Sequence, residues 1–315
     1  MKKHKFAIMI RMTYYIYGVL SLLMGLVPYR LYGQKLNLIP QAQAVVENGK
    51  GTLSVSRLKS ICFPEVWEQQ GRLLTCEVNQ AVGLFLKHSS AHASIRITQS
   101  DKQASEAYTL VVSKQGISIE AGDVGGLNHA LATFSQLVLH ATDGKLPLLT
   151  IQDKPRMEYR GLMIDCSRHF WTAEQLKRCI RQMAFFKLNT LHLHLTDNQG
   201  WRFYFHKHPE LTAKGTYYQA VKELSGQYYT YAELKDLVAY AAVHGVEIIP
   251  EIDLPGHCQA LLAAIPRLSC NGGAFEVYPE EDETSVRTRR GENMLCVGNP
   301  ETYRFVDELV TELAE

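Results

Sequence analysis

Three short segments of the 315-residue chain concentrate side chains that can bind polar groups or move protons. They are Asp165-Cys-Ser-Arg168-His169, Thr196-Asp197-Asn198-Gln199-Gly200-Trp201 and Glu251-Ile-Asp253-Leu-Pro-Gly-His257. An arginine fork can clamp hydroxyls in bidentate fashion, carboxylates accept from hydroxyls, and an indole can face the apolar side of a sugar ring. One Arg, several carboxylates, a His and a Trp therefore point to a polyhydroxylated ligand, with Arg168 as the clamp and Trp201 as the facing ring.

The stretch between the first two segments permits a second chemistry. Period-two alternation puts Leu191, Leu193 and Leu195 on one face of a strand and His192 and His194 on the other. Two imidazoles so placed can hold a metal, as in a metal-dependent amidohydrolase. The alternative is a polar interior layer, with both rings hydrogen-bonded to neighbours such as Asp165 or Glu251. That reading is preferred, because the next segment adds no His until His257, several residues into its loop. By the same alternation Ile249, Glu251 and Asp253 share a face. Two carboxylates so close repel unless cations offset them, and Arg168 and His257 are the candidates. Either Asp253 or Asp197 could orient His257.

The elements that must position these groups are short apolar strands alternating with longer helices. Gly161 to Asp165 reads as a strand, Thr172 to Lys187 as a helix with Thr172 and Glu174 as start signals, and Leu188 to Leu195 as the second strand. Tyr231 to His244 reads as a helix opened by Thr230 and closed at Gly245, Val246 to Ile252 as the third strand, and Tyr303 to Ala314 as a further helix. Such alternation specifies an α/β fold with a parallel sheet, open or closed into a barrel, whose chemistry lies beyond the C-terminal ends of the strands. All three polar segments fall at such ends.

Upstream, Leu36 to about Asp153 mixes alternating stretches such as Tyr108 to Val112 with one helical stretch, Gly126 to Ala141, and reads as a small α+β domain without a chemical cluster. Asp153-Lys-Pro-Arg156 marks the linker. Residues 1–33 open with positive charge and continue into an apolar run, clearest from Tyr14 to Val27, as a secretory signal peptide does. An uncleaved anchor over Phe6 to Val27 is disfavoured because Arg11 interrupts it. The expected location is therefore periplasmic or extracellular, with no stable membrane insertion after cleavage. Seven cysteines leave at least one unpaired; Cys270 and Cys296 bracket a loop-like stretch and suit a disulfide, whereas Cys166 and Cys179 read as buried thiols. A formal net charge of +1, with Lys and Arg scattered, argues against nucleic acid as a partner.

Three longer stretches resemble the glycoside hydrolase family 20 β-N-acetylhexosaminidases: Tyr159 to Phe170, Met183 to Arg202 and Pro250 to His257. The likeness is close from Tyr159 to about Phe305 and looser over Leu36 to Asp153. It implies a noncatalytic N-terminal α+β domain (34–153) followed by the first part of a (β/α)8 TIM barrel (154–315), and a partner that is an N-acetylhexosamine-terminated glycan. It implies no cofactor and no metal. The family mechanism it implies is retaining and substrate-assisted: the acetamido oxygen of the sugar attacks C1, so no enzyme nucleophile is needed. An Asp-Glu pair within a His-x-Gly-Gly-Asp-Glu segment orients the acetamido group and protonates the leaving oxygen. On this pattern Arg168 would bind ring hydroxyls of the nonreducing sugar, while Asp197, Asp253 and His257 would form the charge network behind the acid. Asn198 stands where many members have a second Asp.

No Gly-Gly-Asp-Glu occurs among the 315 residues, and Gly272-Gly273 is followed by Ala274-Phe275. The catalytic pair is expected beyond Glu315. The chain thus reads as the N-terminal part of an exported exo-β-N-acetylhexosaminidase, inactive and aggregation-prone by itself because three strands cannot close a barrel. An inactive carbohydrate-binding remnant is the alternative.

Overall fold

The first half is built on a sheet whose strand order does not follow the sequence. The computed structural model describes residues 36–89, 92–217, 222–277 and 293–314. The expected signal peptide lies outside them. Among the described residues no helix is long and apolar enough to cross a membrane.

Strands β1 (Ala44–Ser54), β2 (Ser60–Cys62), β3 (Lys87–His88), β4 (Ile95–Gln99), β5 (Tyr108–Val112), β6 (Ile117–Ala121) and β7 (Lys145–Asp153) pair in the order β1-β7-β5-β6-β4-β2-β3. The expected alternation holds on β5, where Tyr108, Leu110 and Val112 are buried, and Ile117, Ile119 and Ala121 repeat it on β6. Helices α1 (Glu68–Val82) and α2 (Val124–Leu139) belong to this half. Asp123 caps α2 by accepting from the Gly126 N–H at 2.8 Å. A Cβ on Gly126 would stand 2.4 Å from the Ala107 carbonyl oxygen, so glycine lets the helix start lie against the sheet.

Helix α1 was not expected from the sequence, which gave one helix here. Its inner face is Gly71, Leu74, Thr75 and Val78, so two of four buried positions carry no hydrophobic signal. Gly71 is required, since a Cβ there would meet the Phe63 ring at 2.5 Å.

The second half contains the expected alternation. Parallel strands β8 (Gly161–Asp165), β9 (Thr190–Asp197) and β11 (Glu247–Ile252) lie with β9 in the middle, and β10 (Gly200–Trp201) folds back antiparallel on β9. Helix α3 (Ala173–Phe185) links β8 to β9. Short α4 (Glu210–Gly215) and then α5 (Tyr231–Val243) link β10 to β11. Capping boxes start α3 and α5, formed by Thr172 with Gln175 and by Thr230 with Glu233. The Leu face of β9 is buried in one core with Leu176 and Ile180 of α3 and Leu237 and Ala241 of α5. Helices α6 (Gln259–Ala264) and α7 (Pro300–Ala314) follow. Helix α7 begins three residues earlier than expected, because proline suits a first turn and the Asn299 side chain accepts from the Glu301 N–H at 3.0 Å.

Residues Asn37–Glu315 form one compact unit. Several polar links among the described residues tie its halves together, Asn128 to the Val243 carbonyl and Gln136 to the Phe185 carbonyl among them. Lys187, in the left-handed region at φ 61°, sends its Nζ to Asp153 Oδ2 at 2.7 Å and to the Tyr108 hydroxyl at 3.0 Å. Arg160 pairs with Glu106, and Glu77 accepts from the Tyr240 hydroxyl and faces His244 Nε2, each at 2.6 Å.

Candidate functional site

The parallel register builds the site before any loop is considered. Asp165 of β8 and Glu251 of β11 both lie opposite His194 of β9, so three strands deliver a carboxylate, an imidazole and a carboxylate to one row. His192 occupies the row behind, opposite Met163 and Ile249.

Asp197, at the end of β9, is the hub. Its carboxylate is 0% exposed and receives donors on both oxygens. Oδ2 faces His194 Nε2 at 3.0 Å and the Arg168 Nη2 at 2.5 Å, while Oδ1 faces His257 Nδ1 at 3.0 Å and the Asn198 N–H at 2.6 Å. Burial alone would raise the Asp197 pKa, but hydrogen bonds from His194, the Asn198 N–H and His257, with the Arg168 charge, hold it below the ordinary carboxylate value. His194 moves the other way, to about 9, because its bond to Asp197 outweighs burial and Glu251 adds a second bond.

Each sequence-predicted residue has a definite place. Arg168 sits on the loop after β8, where the Asp165 carboxylate accepts from its backbone N–H at 2.9 Å and from Nη1 at 2.6 Å. It was expected to offset Glu251 and Asp253; it pairs instead with Asp165 and Asp197, which its own turn and the register put nearer. His257 hangs on the loop after β11 at φ 53°, a conformation uncommon outside glycine, with its side chain 48% exposed. Of the two proposed orienters of His257, Asp197 is the one bonded to it. Asp253 anchors its backbone N–H on Thr196 Oγ1 at 3.0 Å, with its carboxylate in reach of both His257 and Asp197. Asn198 accepts from the Gln259 N–H at 3.3 Å, holding the β9 and β11 loops together.

Trp201 does not face the site. It is 1% exposed, packed against Phe203 and Phe305 within the core, so it cannot stack on a sugar. Its place follows from β10, which turns the chain back on β9 and sends the indole inward. Beside it the buried Arg202 donates to the carbonyls of Ser167 and Gln227, and Ser167 Oγ donates to the Gly200 carbonyl at 2.8 Å. These bonds fix the loop that carries Arg168. A Cβ on Gly200 would meet the Arg202 guanidinium at 2.5 Å.

The expected Cys270–Cys296 disulfide is not formed. Both are free thiols, hydrogen-bonded to each other, which raises the Cys270 pKa and lowers that of Cys296. The two sulfurs stand within hydrogen-bonding reach of each other, and joining them takes an oxidant. Cys166 is buried as expected, its thiol pushed up to about 11 by burial, whereas Cys179 is only half-buried.

Two triads, His194 with Glu251 and Asp253, and Asp197 with Asp253 and His257, bring one ligand atom each within 4.8 Å. Their donors are already committed. Both ring nitrogens of His194 face carboxylate oxygens and Asp197 accepts from four groups, so a cation would have to displace charged partners. The geometry suits binding of hydroxyls and support of a proton-carrying group better than metal ligation.

Sequence reasoning anticipated bonds from the strand histidines to Asp165 or Glu251, but not that His194 would reach Asp197. Three residues apart on β9, the two side chains would fall on opposite faces by simple alternation; the register shift against β11, where Glu251 and Ile252 pair with His194 and Thr196, brings them to one side, and spacing carries no sign of it.

Comparison with known proteins returns one family. The signature described as "Glycosyl hydrolase family 20, catalytic domain" matches residues 157–315, and "Glycosyl hydrolase family 20, domain 2" matches 35–154. A beta-hexosaminidase of Vibrio furnissii is 38% identical over 240 residues, covering 72% of this chain and 38% of that protein. One from Akkermansia muciniphila is 40% identical over 220 residues, covering 67% and 42% respectively. Among solved structures, Streptomyces plicatus N-acetyl-beta-hexosaminidase in complex with Thio-NAglucal superposes with a TM-score of 0.76 at 31% identity, over 90% of this chain and 57% of that one. The chain thus spans less than half the length of these curated relatives.

Proposed function

The chain belongs to glycosyl hydrolase family 20, and we propose that the protein carrying it is an exo-β-N-acetylhexosaminidase removing terminal N-acetylglucosamine or N-acetylgalactosamine from glycans. The observation that carries this reading is the buried Asp197 carboxylate, held between Arg168 and His257 at the rim of three parallel strands. Arg168, 41% exposed at the rim, would meet the sugar hydroxyls, with Asp165 and Asp197 holding its fork in place. His257 is bonded through Nδ1 to Asp197, and its side chain is 48% exposed. Asp253 stands beside both. Together they form a support for an acid that protonates a leaving oxygen.

On this proposal the remaining strands complete a TIM barrel, and the Asp-Glu pair enters at the fourth strand. On the same proposal the acetamido group of the substrate supplies the nucleophile, so no enzyme carboxylate attacks C1. The apolar start of the sequence fits export to the periplasm or cell exterior.

The test begins with the coding sequence past Glu315, which should continue in frame to Gly-Gly-Asp-Glu. The protein that contains it should release 4-nitrophenol from the β-N-acetylglucosaminide or β-N-acetylgalactosaminide. Arg168→Ala should weaken substrate binding by roughly 1.5–3 kcal/mol for each charge-assisted hydrogen bond lost. A complete protein inactive on both substrates, or an Arg168→Ala variant with unchanged KM and kcat, overturns the proposal. A stop codon after Glu315 would leave a carbohydrate-binding remnant instead.

A further inference from the structure

His194 makes contacts that a filler of a polar core layer does not need. Its Nδ1 lies 3.1 Å from Glu251 Oε1 and its Nε2 lies 3.0 Å from Asp197 Oδ2. Ionised carboxylates only accept hydrogen bonds, so a ring held between two of them carries a proton on each nitrogen. The geometry therefore makes His194 an imidazolium. The pattern extends in both directions: His192 Nε2 meets the other oxygen of Glu251 at 2.7 Å, and His257 Nδ1 meets the other oxygen of Asp197 at 3.0 Å. Five side chains, His192, Glu251, His194, Asp197 and His257, thus alternate imidazole and carboxylate from inside the sheet to the rim.

We propose that His194 is a positioning residue for His257: clamped between Glu251 and Asp197, it keeps Asp197 ionised and turned so that its second oxygen binds His257 Nδ1 and leaves Nε2 facing the reacting end of the sugar. The proposal rests on the hexosaminidase reading for the last clause only. The groups that face His194 from every side are carboxylates or their partners: Asp165 from β8, Asp197 and His192 from β9, and Glu251 and Asp253 from β11 and its loop. Arg168 reaches the same Asp197 oxygen from the β8 loop. With a neutral ring, one N–H would have to serve two carboxylates, and Asp197 would lose a charge-assisted bond on the side opposite His257. A glutamine of similar reach has one donating end and one accepting end, so it cannot replace the imidazolium between two acceptors.

The first arm uses the complete protein and reads protonation, not catalysis. Imidazole nitrogen NMR should find both His194 nitrogens protonated at pH 7.5, titrating near pH 9, and His257 protonated on Nδ1. A neutral His194 ring at pH 7.5 overturns the proposal, whatever the protein's activity. The second arm uses the complete hexosaminidase. His194→Gln should lower kcat on the order of 10–100-fold with KM little changed, and move the alkaline limb of the pH profile. Glu251→Gln, which keeps the His194 ring, should shift the same limb with a smaller loss. Wild-type kcat and pH profile in a folded His194→Gln variant also overturn it. If the wild-type complete protein proves inactive on both sugars, the hexosaminidase reading and the last clause fall, while the NMR arm still decides the clamp.

Discussion

Raising the pH from 6.5 to 9 should destabilise the complete protein, and His194 sets both the sign and the size. In the folded protein its pKa stands at about 9; in the unfolded chain it returns to 6.5. Between those values the folded state holds a proton that the unfolded state has released, so stability falls as pH rises through the window. The contribution is fully present below pH 6.5 and gone above about pH 9. At 1.36 kcal/mol per pH unit the interval corresponds to about 3 kcal/mol, a large share of the roughly 5–15 kcal/mol that holds a domain together. The lowered pKa of Asp197 describes the same ion pair from the acid side, adding stability above the ordinary carboxylate range that is lost as pH falls, and is not counted again.

Of the other buried groups, Lys187, which burial holds below its ordinary pKa, opposes the fall at the alkaline end, and His194→Gln separates the two. Burial holds the His129 ring below its ordinary pKa, so its effect lies below pH 6.5, where stability rises with pH. Burial pushes Cys166 up to about 11 and moves the Tyr108 and Tyr229 hydroxyls further up. Urea melts followed by the emission of Trp67 and Trp201, 3% and 1% exposed, should therefore show a midpoint that peaks near pH 6.5. With an m-value of about 2–3 kcal/mol/M, the midpoint should drop by about 1 M toward pH 9. His194→Gln should remove that slope. A midpoint that is flat or rises from pH 6.5 to 9, or a slope retained in His194→Gln, refutes the reasoning.

Lys187→Met should cost about 3–5 kcal/mol, because it leaves the buried Asp153 carboxylate, 8% exposed, without its cation; the urea midpoint at pH 7 reads the loss, and a change below about 1 kcal/mol would show that the link between the halves is ornamental. Cys270 and Cys296 should close on treatment with oxidised glutathione, the two thiols giving one disulfide and two glutathione thiols. Intact mass should fall by two hydrogens, and Cys270→Ser should abolish the change; a mixed glutathione adduct persisting on both cysteines would show that the sulfurs cannot meet.

Much of the catalytic-type half was legible because its signals are periodic. Alternating Leu residues on β9, the Thr-led capping boxes and the strand-helix spacing each have a local cause, and all three point to the same parallel sheet. Two kinds of feature escaped. Helix α1 hid because half of its contact face is glycine and threonine, and the reason for Gly71 lies in the Phe63 ring, several residues upstream. Trp201 was placed at the sugar because its neighbours are polar, whereas its direction depends on β10 folding back over β9. Sequence spacing tells which residues share a strand end, but the pairing of two strands decides which of them turns inward.

That distinction matters most at Asp197. Arg168, His194 and His257 come from three different places in the chain, a loop, the preceding strand face and a second loop. Nothing in the spacing of any one segment says that all three meet one carboxylate. The meeting follows from register: β8 and β11 align Asp165 and Glu251 on His194, and His194 then lies under the end of its own strand, within reach of Asp197. Slipping β9 by one residue against its neighbours would present the Leu face to this row, removing the imidazolium and leaving Asp165 and Glu251 without the cation between them. The buried Leu191, Leu193 and Leu195 side chains make that slip costly, at roughly 1.5–3 kcal/mol for each apolar side chain exposed. The apolar face of β9 therefore fixes the electrostatics of its polar face, and through it the angle at which His257 leaves the rim.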